Sequence, residues 1–172
     1  MEINKISGFE YEAKHMPGFT VTGFTKFVAS GGEFYDEVYK GEKWRILQSM
    51  NTKSKEIYGI ASRDAECPKD KYRYSMGVVN DENFVELLSD IKGNGLFSIS
   101  VAESDWIVFK LDFSEKYGDL WGKNPYKMIE DLGYRFNGGV GLHIDVFDEN
   151  YDGHYMEFWM PVLNKKTVTN KK

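Results

Sequence analysis

The sequence contains one cysteine, Cys67. That excludes an internal disulfide framework and a cysteine-based zinc cluster. Cys67 stands before Pro68 in a polar turn, the setting of a bystander thiol. Histidine is scarce too: His15, His143 and His154 show no close metal-ligand spacing. His143 and Asp145 share a strand face, so a His–carboxylate pair is open there, but no metal or other cofactor is expected. Basic stripes are lacking. The chain carries 22 Lys and Arg against 27 Asp and Glu, a net charge of -5, which argues against a general nucleic-acid binder. No apolar run is long enough for a membrane span. The start, Met1-Glu2-Ile3-Asn4-Lys5, lacks a signal-peptide core, so a soluble cytoplasmic protein is expected. No Ser-His-Asp or Cys-His arrangement is readable. The glycine-rich run Asn137-Gly138-Gly139-Val140-Gly141 follows a helix and precedes a strand, the reverse of a phosphate loop. It reads as a connection.

Aromatic residues are what the chain has in quantity: 12 Phe, 11 Tyr and 4 Trp in 172 residues. Tyrosine and tryptophan offer broad apolar faces with a polar tip, suited to pocket walls as well as cores. Trp44, Trp106 and Trp121 lie in apolar patterns and read as core, with pocket contact the alternative. The length allows one domain, or two small fused lobes, with a real core.

Strand and helix signals repeat along the chain. Tyr11 to Phe27 reads as a strand interrupted at Met16-Pro17-Gly18, and Glu33 to Met50 as a helical stretch weakened at Gly41. Lys55 to Ser62 and Tyr72 to Val79 read as a hairpin. Asp81 is placed to cap a short helix ending at Gly93-Asn94-Gly95. The order then starts again. Leu96 to Ala102 is a strand, Ser104-Asp105 a turn or bulge, and Trp106 to Phe113 a strand. Glu115 to Leu132 is mostly helical, kinked or restarted at Pro125. Val140 to Phe147 and His154 to Val162 close the series as a hairpin. The repeat is one of pattern, not of letters. It predicts an α+β fold of two pseudo-symmetric lobes, each an antiparallel sheet with a main helix, and a ligand groove at their junction. Lobe 1 spans about 8–80 and lobe 2 about 96–163. Residues 164–172 form a polar, basic tail.

The last strand draws attention to Glu157. Strand side chains alternate between faces. Met156, Phe158 and Met160 point one way, and Tyr155, Glu157 and Trp159 the other. One carboxylate then lies between two large rings. Burying it without a partner is costly, so the pattern allows two readings. Either this face holds a ligand bringing a positive charge or a hydrogen-bond donor, or it meets solvent and Glu157 is simply wet.

The order and punctuation of the chain resemble the GyrI-like small-molecule-binding domains, the effector-binding modules of AraC- and MerR-type transcription regulators. The resemblance rests on Met16-Pro17-Gly18-Phe19-Thr20-Val21-Thr22-Gly23, on Tyr58-Gly59-Ile60 with Tyr74-Ser75-Met76-Gly77-Val78, and on Val101 to Phe109. It continues through Glu130-Asp131-Leu132-Gly133-Tyr134 and Glu157-Phe158-Trp159-Met160-Pro161-Val162. It covers roughly residues 8–163.

The resemblance implies a central aromatic pocket and an acidic residue on the last strand, here Glu157. It implies a free-standing binding domain for small amphipathic or cationic, drug-like molecules, with Glu157, Tyr155, Trp159, Tyr58 and Tyr74 as ligand-binding residues. No helix-turn-helix flanks the matched region, so any role in transcription calls for a separate DNA-binding partner. A homodimer through an exposed strand edge is the other partner left open. The family also contains hydrolases of electrophilic small molecules. On that alternative Glu157 is the general base, and Tyr74 or Tyr155 the hydrogen-bond donor.

Overall fold

A computed structural model describes residues 3–52, 54–79 and 96–164. The short helix expected after Asp81 and the tail beyond Asn164 lie outside the described residues. Among the described residues, ten strands form one antiparallel sheet. In chain order they are β1 (Lys5–Ile6), β2 (Phe9–Met16), β3 (Phe19–Val28), β4 (Glu56–Ser62), β5 (Tyr72–Val79), β6 (Leu96–Val101), β7 (Ser104–Asp112), β8 (Tyr134–Phe136), β9 (His143–Asp148) and β10 (Tyr155–Asn164). Two helices, α1 (Gly31–Val38) and α2 (Glu42–Met50), lie between β3 and β4. Two more, α3 (Phe113–Gly122) and α4 (Pro125–Asp131), lie between β7 and β8.

The helix breaks follow from local chemistry. Lys40 takes φ 58°, outside the helical region, and Gly41 caps α2, which divides the expected Glu33–Met50 stretch. Asn124 caps α4 by accepting from the Lys127 N–H, and Pro125 occupies the first turn, where its missing N–H costs nothing. Ser104 and Asp105, expected as a turn or bulge, are the first residues of β7. Asp105 is paired with His15 on β2 and Val162 on β10.

The sheet order is β1-β2-β7-β10-β9-β4-β5-β3-β6, with β8 paired to β10 off this path. The first half supplies the run β3-β5-β4 and the second the equivalent run β7-β10-β9, and the two meet at the β4–β9 pair. The strand that opens each half is exchanged. β2 pairs with β7 of the other half, and β6 pairs with β3. The expected lobes are therefore joined as one continuous sheet.

Both helix pairs cover the same face. Their apolar stripes (Phe34, Val38 and Leu47 from the first pair, Leu120, Met128 and Ile129 from the second) pack on Met76, Phe109, Phe147, Met156 and Phe158. A second cluster fills the opposite face, built from Val21, Tyr58, Ile60, Trp106, Val108, Ile144, Val146 and Trp159. Trp44 and Trp106 are both core residues. The sheet is thus apolar on both sides over its centre, and a polar side chain there must have a specific partner.

Candidate functional site

On the helix-covered face, a cavity of about 260 Å³ opens above the β4–β9 seam, between the two helix pairs. Its floor is His143, Asp145 and Phe147 from β9, with Tyr72 and Tyr74 from β5. Its walls are Tyr35 from α1 and Phe113, Tyr117 and Trp121 from α3, and the backbone turn of residues 29–32 forms one edge. The rings brace each other. Tyr35 lies 5.6 Å from Phe113 and 5.3 Å from Phe147, and Phe113 lies 4.7 Å from Tyr117. The Gly31 N–H donates to the Tyr72 hydroxyl at 2.6 Å, which ties the turn to the sheet.

Asp145 is the polar centre of this cavity. The Tyr74 hydroxyl donates to its Oδ2 at 2.7 Å. The Tyr117 hydroxyl donates to Oδ1 at 3.1 Å and to Oδ2 at 3.3 Å. Gly59 makes the first bond possible. It lies directly across from Asp145 in the β4–β9 register, and a Cβ at this position would stand 2.1 Å from the Tyr74 hydroxyl. A glycine inside a strand often marks such a close approach.

Burial dominates the electrostatics. It pushes the Asp145 carboxyl up to about 7, although the hydrogen bonds from Tyr74 and Tyr117 pull the other way. It pushes His143 down to about 4, so the imidazole is neutral near pH 7. The His143 Nε2 to Asp145 Oδ2 separation of 3.9 Å is therefore not an ion pair, and it is too long for a hydrogen bond. Burial also raises Tyr74 and Tyr117 well above the usual phenol range, which keeps both as neutral donors. Among the described residues, no lysine or arginine pairs with Asp145. No cluster of His, Cys, Asp and Glu there could hold a metal ion, and no helix is long and apolar enough to cross a membrane.

The five residues proposed from the sequence are divided between the two faces of the sheet. Tyr74 lines the cavity. Tyr58, Tyr155, Glu157 and Trp159 lie on the opposite face. There the Tyr155 hydroxyl and the Trp159 Nε1–H each donate to Glu157 at 3.2 Å. Lys14 Nζ sits 4.6 Å from the centre of the Trp159 ring. Tyr155 is 56% exposed, so this end of the face is wet. Tyr58 is buried against Trp159 and Phe19, and burial raises its hydroxyl to about 12. The expected pairing of Glu157 with Tyr74 as base and donor is geometrically excluded, because the sheet lies between them.

The cause is a matter of register. Phe158 pairs with Asp145, and Trp159 with Ile144. The face of β10 that carries Met156, Phe158 and Met160 is therefore the face of β9 that carries His143 and Asp145. The alternation signal that singled out Glu157 was present on β9 as well. Tyr117, Tyr35 and Phe113 carry no local signal and become site residues only through helix packing. Trp121 does line the cavity.

Comparison with known proteins bears on the fold. No protein-family model and no curated protein matches the sequence. Solved structures do. SAV2435 bound to tetraphenylphosphonium is 18% identical, with a TM-score of 0.67 over 92% of this chain and 96% of that one. The EcmrR C-terminal domain is 11% identical, with a TM-score of 0.56 over 91% and 98%. A hydrolase from Listeria innocua is 12% identical, with a TM-score of 0.50 over 89% and 91%. The protein is an α+β molecule with the GyrI-like fold, as its sequence resemblance implied.

Proposed function

We propose that the protein binds a small organic cation in the helix-side cavity, with Asp145 as counter-charge and Tyr35, Phe113, Tyr117 and Trp121 as aromatic walls. The observation that carries this reading is Asp145 itself. It is a buried carboxyl held only by neutral hydroxyl donors, at a floor whose charged form has no cationic partner among the described residues. A ligand cation supplies the missing charge, and the rings add cation–π attraction of roughly 0.5–2 kcal/mol each. A fold neighbour bound to tetraphenylphosphonium, itself a lipophilic cation, supports a positively charged organic ligand, though not its shape.

Intrinsic fluorescence titration with an aryl ammonium ion and its neutral isostere tests the reading, because Trp121 lies in the cavity wall. The cation should bind at least about tenfold tighter in the wild type, from one charge-assisted hydrogen bond. Asp145→Asn should abolish that preference. Equal affinity for cation and isostere in the wild type would contradict the proposal.

One observation favours a second reading. Asp145 is a buried carboxyl lining an open cavity, and burial raises it toward the pH range in which a general base works. On this reading water attacks an electrophilic carbon, Asp145 takes the water's proton, and the bond to the leaving atom breaks. Once Asp145 is protonated it no longer needs the Tyr117 proton, and the Tyr117 hydroxyl turns to donate its hydrogen bond to that atom. The role moves from Glu157, and from its donor Tyr155, to residues of the cavity. Unchanged epoxides and activated esters after prolonged incubation with the protein would remove this reading and leave binding.

A further inference from the structure

The floor of the cavity is more specific than a bare negative charge. A carboxylate has acceptor capacity for about four hydrogen bonds. Tyr74 uses one position on Oδ2, and the Tyr117 hydroxyl is shared between Oδ1 and Oδ2. At least one acceptor position is left on Asp145. His143 stands beside it. Its ring is held by stacking on Phe158 at 5.0 Å and by an edge contact with Trp121 at 5.3 Å, so it is not free to swing away. As a neutral imidazole it offers one nitrogen as a second acceptor. The 3.9 Å between His143 Nε2 and Asp145 Oδ2 is too long for the two groups to satisfy each other. It is short enough for one ligand nitrogen to donate to both.

Size gives an independent constraint. At about 260 Å³ the cavity is below the usual range for drug-sized ligands, roughly 300–1,000 Å³. The walls are flat rings, which suit one aromatic plane rather than a bulky, tetrahedrally substituted centre.

We infer that the ligand is a single-ring cation whose charged group carries N–H donors, such as an amidine, a guanidine or a primary amine, rather than a quaternary centre. The inference rests on the cation reading above and narrows it. A quaternary group would bring charge to Asp145 but no donor. It would expel water from the floor and leave an Asp145 acceptor position and the His143 nitrogen unpaired, which carries a desolvation penalty. An amidinium or primary ammonium fills both positions. The tautomer of His143 follows: with Nε2 accepting from the ligand, Nδ1 carries the proton.

Calorimetry at pH 8 with benzamidine and phenyltrimethylammonium, two single-ring cations of similar size, separates the possibilities. Benzamidine should bind roughly ten- to a hundredfold tighter, the range expected for losing one or more charge-assisted hydrogen bonds at a buried site. His143→Phe should narrow that ratio, because it removes one of the two acceptors. Equal or tighter binding of phenyltrimethylammonium to the wild type overturns this inference and leaves the cation reading standing. A wild-type ratio that His143→Phe does not move also overturns it. If neither cation binds, the cation reading falls and this inference falls with it.

Discussion

Replacing Asp145 by Asn should stabilise the unliganded protein above neutral pH and leave it nearly unchanged in acid. Burial raises the carboxyl from 3.8 to about 7. A group raised in the folded state contributes its full stability below its unfolded pKa and loses it as pH rises through the folded value. Between about pH 4 and pH 7 the folded wild type still holds a proton that the unfolded chain has released, so its stability falls as pH rises. At 1.36 kcal/mol per pH unit this amounts to about 4 kcal/mol. That is a large part of the 5–15 kcal/mol typical of a domain.

The wild-type curve alone would hide the effect. His143 runs the other way. Burial lowers it from 6.5 to about 4, so its contribution is present above pH 6.5 and is lost as pH falls toward 4. Over that window the two slopes oppose and largely cancel. The difference between variant and wild type isolates Asp145, because His143 is common to both. Urea unfolding of the wild type and Asp145→Asn from pH 4 to pH 8.5 gives that difference directly. Reorganisation of Tyr74 and Tyr117 around an amide adds a constant offset. The pH-dependent part should still grow by about 3–4 kcal/mol. A saturating cation should flatten the wild-type part of the curve by holding Asp145 ionised. A difference that stays constant with pH would refute the burial argument.

Two further outcomes follow from the same geometry. Gly59→Ala places a Cβ at 2.1 Å from the Tyr74 hydroxyl, so Tyr74 must leave Asp145. Unfolding should show a loss of about 1–3 kcal/mol from overpacking, and ligand affinity should fall with it. Wild-type affinity in this variant would show that the Tyr74 bond is dispensable. Glu157→Gln, on the opposite face, should cost about 1 kcal/mol or less, because the amide oxygen still accepts from Tyr155 and Trp159 at a wet end of the sheet. It should leave cation affinity intact, and a selective loss of cation binding would return the site to Glu157.

Much of the fold was legible because it rests on local rules. The strands of both terminal hairpins, the breaks at Gly41 and Pro125, and the repeated element order come from propensity, punctuation and alternation. Three features were not, and they share one reason. The exchange of β2 and β6, the joining of the halves at β4–β9, and the choice of face for the cavity all depend on which strand lies beside which. Alternation divides a strand's residues into two sets but does not say which set the helices cover. Leu142, Ile144 and Val146 form one alternation set of β9, and Met156, Phe158 and Met160 form one set of β10. The register places those sets on opposite faces, and both faces are apolar. By pattern Asp145 and Glu157 each lie among apolar neighbours, and the pairing places Asp145, not Glu157, on the face with the helix-side cavity.

The cavity belongs to neither half alone. The second half provides the carboxyl on β9 and the Tyr117 hydroxyl on α3. The first provides Tyr74 on β5, and Gly59 on β4 clears the path to it. The Tyr74 bond crosses the β4–β9 seam, so a shift of one half against the other would separate that donor from Asp145. The exchanged strands act against that shift. β2 pairs with β7 over seven residues, from Glu10 to Met16, and β6 pairs with β3 from Leu96 to Val101. Sliding the halves would break ladders on both flanks as well as at the seam. A buried carboxyl is costly to hold, and a site built across a seam needs that seam fixed. The strand exchange meets the second need, which is why an ionisable group can persist at the joint between two repeats.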